Sequence, residues 1–259
     1  PKTLITVHSF STDTFRPAPN PASFARIAAA QTRMETALIM RHGEQLLLNI
    51  VVPLAILIGA SVVPVLGEDR GIDEIFPMVL AVAAMGSGFT GQAIAVAFDR
   101  RYGALKRLGA SGVPRRAIIV GKIAAIAIVT LLQAILLAIA AAALGFSTGI
   151  VAYLLSAVVL LLSAASFTAF GLLLGGTLAA EKVLGLGNFF WLVLLGVVGW
   201  VLYSQGLSSN GAWTIVPSVA VASGLTESLR GTIPITELAV ILAWGLGAAG
   251  LASKKFRFS

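Results

Sequence analysis

The chain contains no cysteine among its 259 residues, which removes disulfides, thiol nucleophiles and cysteine metal sites together. Histidine is nearly as scarce. His8 and His42 stand far apart, so neither a histidine metal cage nor a Ser-His-Asp relay is expected, and no catalytic residue is assigned. A phosphate loop of the form GxxxxGK followed by Ser or Thr is missing too. Gly121-Lys122 lacks both the upstream glycine and the hydroxyl, which excludes ATP hydrolysis by that loop in this chain. Charge is the largest shortage: 11% of residues are charged and 58% hydrophobic, whereas soluble domains carry about a quarter charged residues. Most of the length therefore has no water-facing surface, and the composition points to an all-α polytopic membrane protein. The first 40 residues hold no compact apolar core before a small-residue cleavage site, so no cleavable secretion signal is expected.

What is present is a series of long apolar runs. About 20 apolar residues are needed to carry a helix across a hydrocarbon core of about 30 Å. Six stretches meet that length, roughly 46–66, 75–98, 117–144, 150–176, 183–203 and 233–253. The third and fourth are separated by GFSTG at 145–149, a turn between two helices. The net charge of +7 is concentrated between alternate runs, where 16 of the 18 Lys and Arg fall; Arg70 and Arg230 sit on the other side among acidic residues. This alternation places both termini in the cytoplasm. It also assigns the basic excess to anionic membrane lipid, with no nucleic-acid partner expected.

Two segments are neither spans nor plain loops. A tail at 1–21 precedes residues 22–45, where Phe24, Ile27, Met34 and Leu38 share one helical face with Arg26, Arg33 and Glu35 elsewhere. That pattern predicts an amphipathic helix lying in the membrane interface. Residues 204–232 are too apolar for a free loop and are broken by Pro217, which predicts short outer re-entrant helices before the last span. The membrane domain then runs over 46–254, with a short tail at 255–259.

GSGFTG at 86–91 and GLGAAG at 245–250 match the spacing of a dinucleotide loop, but both lie inside apolar runs without a preceding strand. Close helix packing through small residues is the better account, and Gly171 with Gly175 carries the same reading. Polar residues at membrane depth are candidates for a pathway. These are Asn49, Gln92, Gln133 and Asn188, with Glu237 about one turn inside the last run. No ionisable relay stands at mid-depth, which argues against coupling to protons or sodium.

The most informative segment is FDRRYGALKRLGASGVPRRAIIVGK, 98–122. Tyr102, Leu105 and Leu108 recur at helical spacing, with Lys106 and Arg107 on the other side, before Gly109, Gly112 and Pro114 break the pattern. A short amphipathic helix of this kind can present Leu105 and Leu108 to a soluble partner. The run from Asp99-Arg100-Arg101-Tyr102-Gly103 through Leu105-Lys106-Arg107-Leu108 to Gly112-Val113-Pro114, placed between the second and third spans, resembles the permease of type-2 ABC transporters, the group of daunorubicin-type exporters. Pro217 and Leu229-Arg230 before the last span are similar to that family as well. Asp99 replaces the commoner Glu, and the proline comes later than is usual.

The resemblance implies a permease of a bacterial cytoplasmic membrane that works with a separate cytoplasmic ATPase, which would hold ATP and Mg. A second permease chain, identical or related, would complete the unit. It implies a coupling helix within 99–116, contacting the ATPase through Asp99, Arg101, Tyr102, Gly103, Leu105, Lys106, Arg107 and Leu108, with Glu181 and Lys182 as a secondary contact. The first, second and fifth spans would line the path of a hydrophobic or amphipathic substrate. An ion-coupled carrier, or a membrane assembly or sensor protein, would share the topology and stays open as an alternative.

Overall fold

The computed structural model describes residues 22–63, 71–208 and 211–255, and all regular structure among them is helical. The tails expected at 1–21 and 255–259 lie outside the described residues, apart from Lys255. The chain opens on α1, Phe24–Arg41, whose first turn is capped by Ser23 Oγ accepting from the Arg26 N–H. Phe24, Met34 and Leu38 are exposed, as an interfacial helix requires. Its other face packs on α6 through Ala28, Gln31 and Glu35.

His42 separates α1 from α2, Gly43–Val62. Next come α3, Ile72–Met85, a π-helical turn at Gly86–Gly91, and α4, Gln92–Arg101, which together form one continuous span. A short helix α5, Ala104–Ala110, leads to α6, Arg115–Ala143. A turn through Gly145 (φ +97°) returns the chain into α7, Ile150–Thr177. Then follow α8, Ala180–Ser204, a 3-10 turn at Gly211–Ile215, α9, Pro217–Leu229, and α10, Ile235–Lys255.

Five helices are long and apolar enough to cross a membrane: Ile72–Arg101, α6, α7, α8 and α10. They coincide with five of the six predicted runs. The remaining run, 46–66, corresponds to α2. Asn49–Val62 of it is apolar helix, and residues 64–66 lie outside the described residues.

The span Ile72–Arg101 is the centre of the molecule. Of its apolar window 83% is buried, against 44% or less for the other four. Small residues let α7 press against it. A Cβ on Gly88 would stand 3.0 Å from Phe167 Cβ, and one on Gly171 would stand 2.7 Å from the Phe89 carbonyl oxygen. One on Gly175 would collide with the Ala93 carbonyl. The GSGFTG motif is thus a packing device, and so is the Gly171/Gly175 pair. In GLGAAG, Gly245 plays the same part against Ser166, whereas Gly247 and Gly250 face open space.

The described part of 204–232, where short re-entrant helices are expected, holds the 3-10 turn and one deeply set helix, α9. Nearly every residue of α9 is buried, and it packs on α3, α7, α8 and α10. Leu225, Val219 and Val221 join Phe76, Val79 and Leu202 in the main core.

Candidate substrate groove and basic coupling end

The basic end of the bundle is held by an ion cluster between three segments distant in sequence. Lys122 Nζ, on the second turn of α6, lies 2.9 Å from the Glu35 carboxylate of α1 and 3.1 Å from Asp99 Oδ2 of α4. Gln31 Nε2 donates to Glu35 Oε1 at 2.9 Å. Lys122 is 2% exposed and Glu35 8%, while Asp99 remains 37% exposed. Gly121 makes room, because a Cβ there would strike the Gln31 side chain. Two carboxylates around one ammonium in a buried position leave a net negative charge, softened at the Asp99 side by solvent. The sequence offers Lys122 only as one more basic residue and Glu35 only as the polar side of an amphipathic helix. Their salt-bridge role was missed, since nothing local ties positions so far apart.

Nearby, Arg100 Nη1 donates to the carbonyls of Gly175 (3.0 Å) and Leu178 (3.2 Å), closing the C-terminal end of α7. Arg101 pairs with Glu181 in the first turn of α8. The structure therefore brings the C-terminal end of α4 and Glu181 together. Lys182 is exposed beside Glu181.

Helix α5 departs from expectation on one point. Leu105 is fully buried with Val96, Ile118 and Leu172, and Leu108 is half-buried against the same cluster. The leucine pair anchors α5 to the bundle and is not presented outward. The physical reason is proximity: α5 folds straight back from α4 at Gly103 (φ +71°), a left-handed position suited to glycine, so its apolar side meets α4, α6 and α7 first. What α5 and its approach expose is polar: Tyr102, Lys106 and Arg107. Tyr102 stacks on Phe98, with ring centroids 5.9 Å apart.

Two adjoining cavities open beside this end. The larger, about 800 Å³, is lined by Glu35, Asp99 and Lys122 at one side and by Asn49, Ser87 and Gln92 deeper in. The second, about 300 Å³, shares Asn49, Gly91 and Ile94 with it and adds Thr90, Gln133, Asn188 and Trp191. Both abut the π turn, which widens the helix and re-aims its side chains, a frequent feature of functional sites. Gln133 donates to the Asn49 carbonyl. Gln92 Oε1, Gln133 Oε1 and Trp191 Nε1 are buried without a hydrogen-bond partner among the described residues. Of the candidate pathway residues, Asn49, Gln92 and Asn188 thus converge on one groove between α2, the π turn, α4, α6 and α8. Glu237 does not: it packs against Gly224 of α9. Among the described residues no cluster of His, Cys, Asp and Glu suits a metal ion.

The model of the ABC-2 type transporter family matches residues 29–233. That interval runs from α1 through α9, so it takes in the ion cluster, α5 and both cavities. Comparison with curated proteins and comparison with solved structures each give no match. On the family match the chain, a multi-pass membrane protein, belongs to the ABC-2 type transporter family.

Proposed function

We propose that the chain is the permease of an ATP-driven exporter that moves an amphipathic, drug-like or lipid-like substrate, with ATP and Mg held by a separate cytoplasmic ATPase. Two permease chains, identical or related, make the working unit. The basic end faces the cytoplasm of a bacterial cell, and both termini lie there.

The observation that carries this reading is the construction of the basic end. A helix that carries Lys106 and Arg107 on its exposed side, just after exposed Tyr102, is anchored inward by Leu105, and α4, which leads into it, pairs with Glu181 and Lys122. A push on that surface passes into α4 directly, into the start of α8 through Arg101–Glu181, and into α1 and α6 through Lys122. Such an arrangement fits a part that receives force from a soluble motor. The groove supports an amphipathic cargo. It offers charged groups at its mouth, while its deeper part is mostly apolar, with Gln92, Gln133 and Trp191 free to bond a polar group. An unpaired buried polar atom costs about 1–3 kcal/mol, so a cargo that satisfies these atoms gains over plain hydrocarbon.

The test is co-purification with the candidate ATPase, comparing wild type with Lys106→Glu/Arg107→Glu. Both side chains are exposed, so the folded permease should survive. Retention of the ATPase should fall at least about tenfold, because two attractive charges become repulsive ones across the contact. If no ATPase binds either form, the chain is a carrier or an assembly protein, and transport should then follow an ion gradient.

A further inference from the structure

A third cavity lies apart from the groove, in a cleft between α7, α8 and α10, with a volume of about 420 Å³. Phe89 and Phe167, nearly buried, form its floor. Phe170 and Trp244 close one wall, their ring centroids 5.8 Å apart. Phe190 and Val193 of α8 stand exposed at the rim.

The cleft differs from the groove in one decisive respect: its polar atoms are already used. Trp244 Nε1 donates to the Ile215 carbonyl at 2.8 Å, and Thr177 Oγ1 donates to the Leu173 carbonyl at 2.7 Å. A ligand buried here finds no hydrogen bond and must offer hydrocarbon. Four of the five membrane-length helices contribute to the cleft, Phe89 coming from the span Ile72–Arg101, and hydrocarbon in a membrane is lipid chain. The dimensions agree. From Phe167 to Thr177 the α7 wall runs ten residues, about 15 Å, or half the hydrocarbon core of about 30 Å. That is the depth of one leaflet. The end at Thr177 leads within five residues to exposed Lys182, which sits on the face of α8 that also carries Val193.

We infer that this cleft is a binding site for one acyl chain of an anionic phospholipid of the basic-side leaflet, whose head group is held at Lys182. The inference needs only that these helices span a membrane, so it stands or falls separately from the transport reading. A bound lipid would join α7, α8 and α10 at the end where Glu181 meets Arg101.

The test uses the full chain reconstituted in vesicles of equal parts phosphatidylglycerol and phosphatidylcholine, then released gently and weighed by native mass spectrometry. Wild type should retain one phospholipid per chain, with phosphatidylglycerol enriched about fivefold, the factor expected from one cation near the surface. Val193→Trp and Leu173→Trp fill the cleft and should each lose the retained lipid, while Ile139→Trp, at an exposed position of α6, should keep it. Lys182→Gln should keep a lipid and lose the enrichment. Retention in both cleft-filling variants would overturn the inference, as would equal loss in Ile139→Trp. Enrichment that survives Lys182→Gln would sink the head-group assignment. Chain-to-chain cross-linking through Phe190→Cys within the vesicles would show a second copy covering the cleft, and the lipid would have no place there.

Discussion

Lys122 shows how one residue can change meaning between sequence and structure. Read along the chain it is a charge at the start of a span, explained by orientation alone. Folded, it is enclosed by Glu35 and Asp99, and its removal leaves two carboxylates facing each other. Breaking a buried pair by deleting one partner costs about 3–5 kcal/mol, whereas replacing the whole group by neutral side chains of similar volume is often tolerated. Partial exposure of Asp99 puts the present case at the lower end. Lys122→Met should therefore lower the thermal midpoint of the purified chain clearly. Lys122→Met combined with Glu35→Gln should recover much of the loss, read as a positive coupling in a double-mutant cycle. Additive losses would mean that the pair is not coupled in the membrane. Leu105 gives the converse lesson. A leucine on a loop helix is equally compatible with docking a partner and with docking its own bundle, and spacing alone does not separate these. Full burial predicts that Leu105→Ala destabilises by about 2–5 kcal/mol. Lys106→Ala, on the exposed side, should leave stability within about 0.5 kcal/mol and affect partner binding alone. A thermal-shift comparison of the two variants decides it.

At the scale of elements, the long apolar runs, the turn at 145–149 and a helix ahead of the first run were all legible, because each follows from length and period. Small residues at four-residue spacing were legible too, since hydrocarbon gives helices no other reason to place glycine there. The face that α1 buries was not. An interfacial helix turns its apolar side to lipid, and Phe24, Met34 and Leu38 are exposed accordingly. Spacing alone does not say that the Gln31/Glu35 side is covered by the bundle. Against a membrane bundle that carries its own buried lysine, the polar face is the one with a partner. The α4–α7 contact allows a sharp check. At Gly175 even a methyl group meets the Ala93 backbone, which cannot rotate away, whereas Gly185 on α8 has nothing within 4 Å. Gly175→Ala should cost about 1–3 kcal/mol through overpacking. Gly185→Ala should be neutral or stabilise by up to about 1 kcal/mol, the intrinsic difference in a helix interior. Equal behaviour of the two in thermal unfolding would mean that the helices are not in close contact.

For the whole molecule, the question left by length and composition is whether α2 crosses the membrane. Its 20 residues reach about 30 Å, the thickness of the hydrocarbon core, and Asn49–Val62 within it is apolar. Charge gives the stronger argument. With α2 crossing, Arg26, Arg33 and Arg41 before it share a side with Arg101, Lys106 and Arg107; without it they are put on opposite sides, against the positive-inside bias. The packing agrees with the first arrangement, because Lys122 at the basic start of α6 bonds Glu35 of α1 and Asp99 of α4 at one place. A chain without cysteine lets this be measured directly with single cysteines at Ala22, Ser111 and Ile233, none of them buried. In sealed right-side-out vesicles a membrane-impermeant thiol reagent should label Ile233→Cys at once. It should reach Ala22→Cys and Ser111→Cys only after the membrane is opened. Labelling of Ala22→Cys without Ser111→Cys would mean that α2 returns to the side it came from, leaving five crossings. The ion cluster would then have to be rebuilt, since Glu35 and Asp99 could no longer approach Lys122 from the same side of the bilayer.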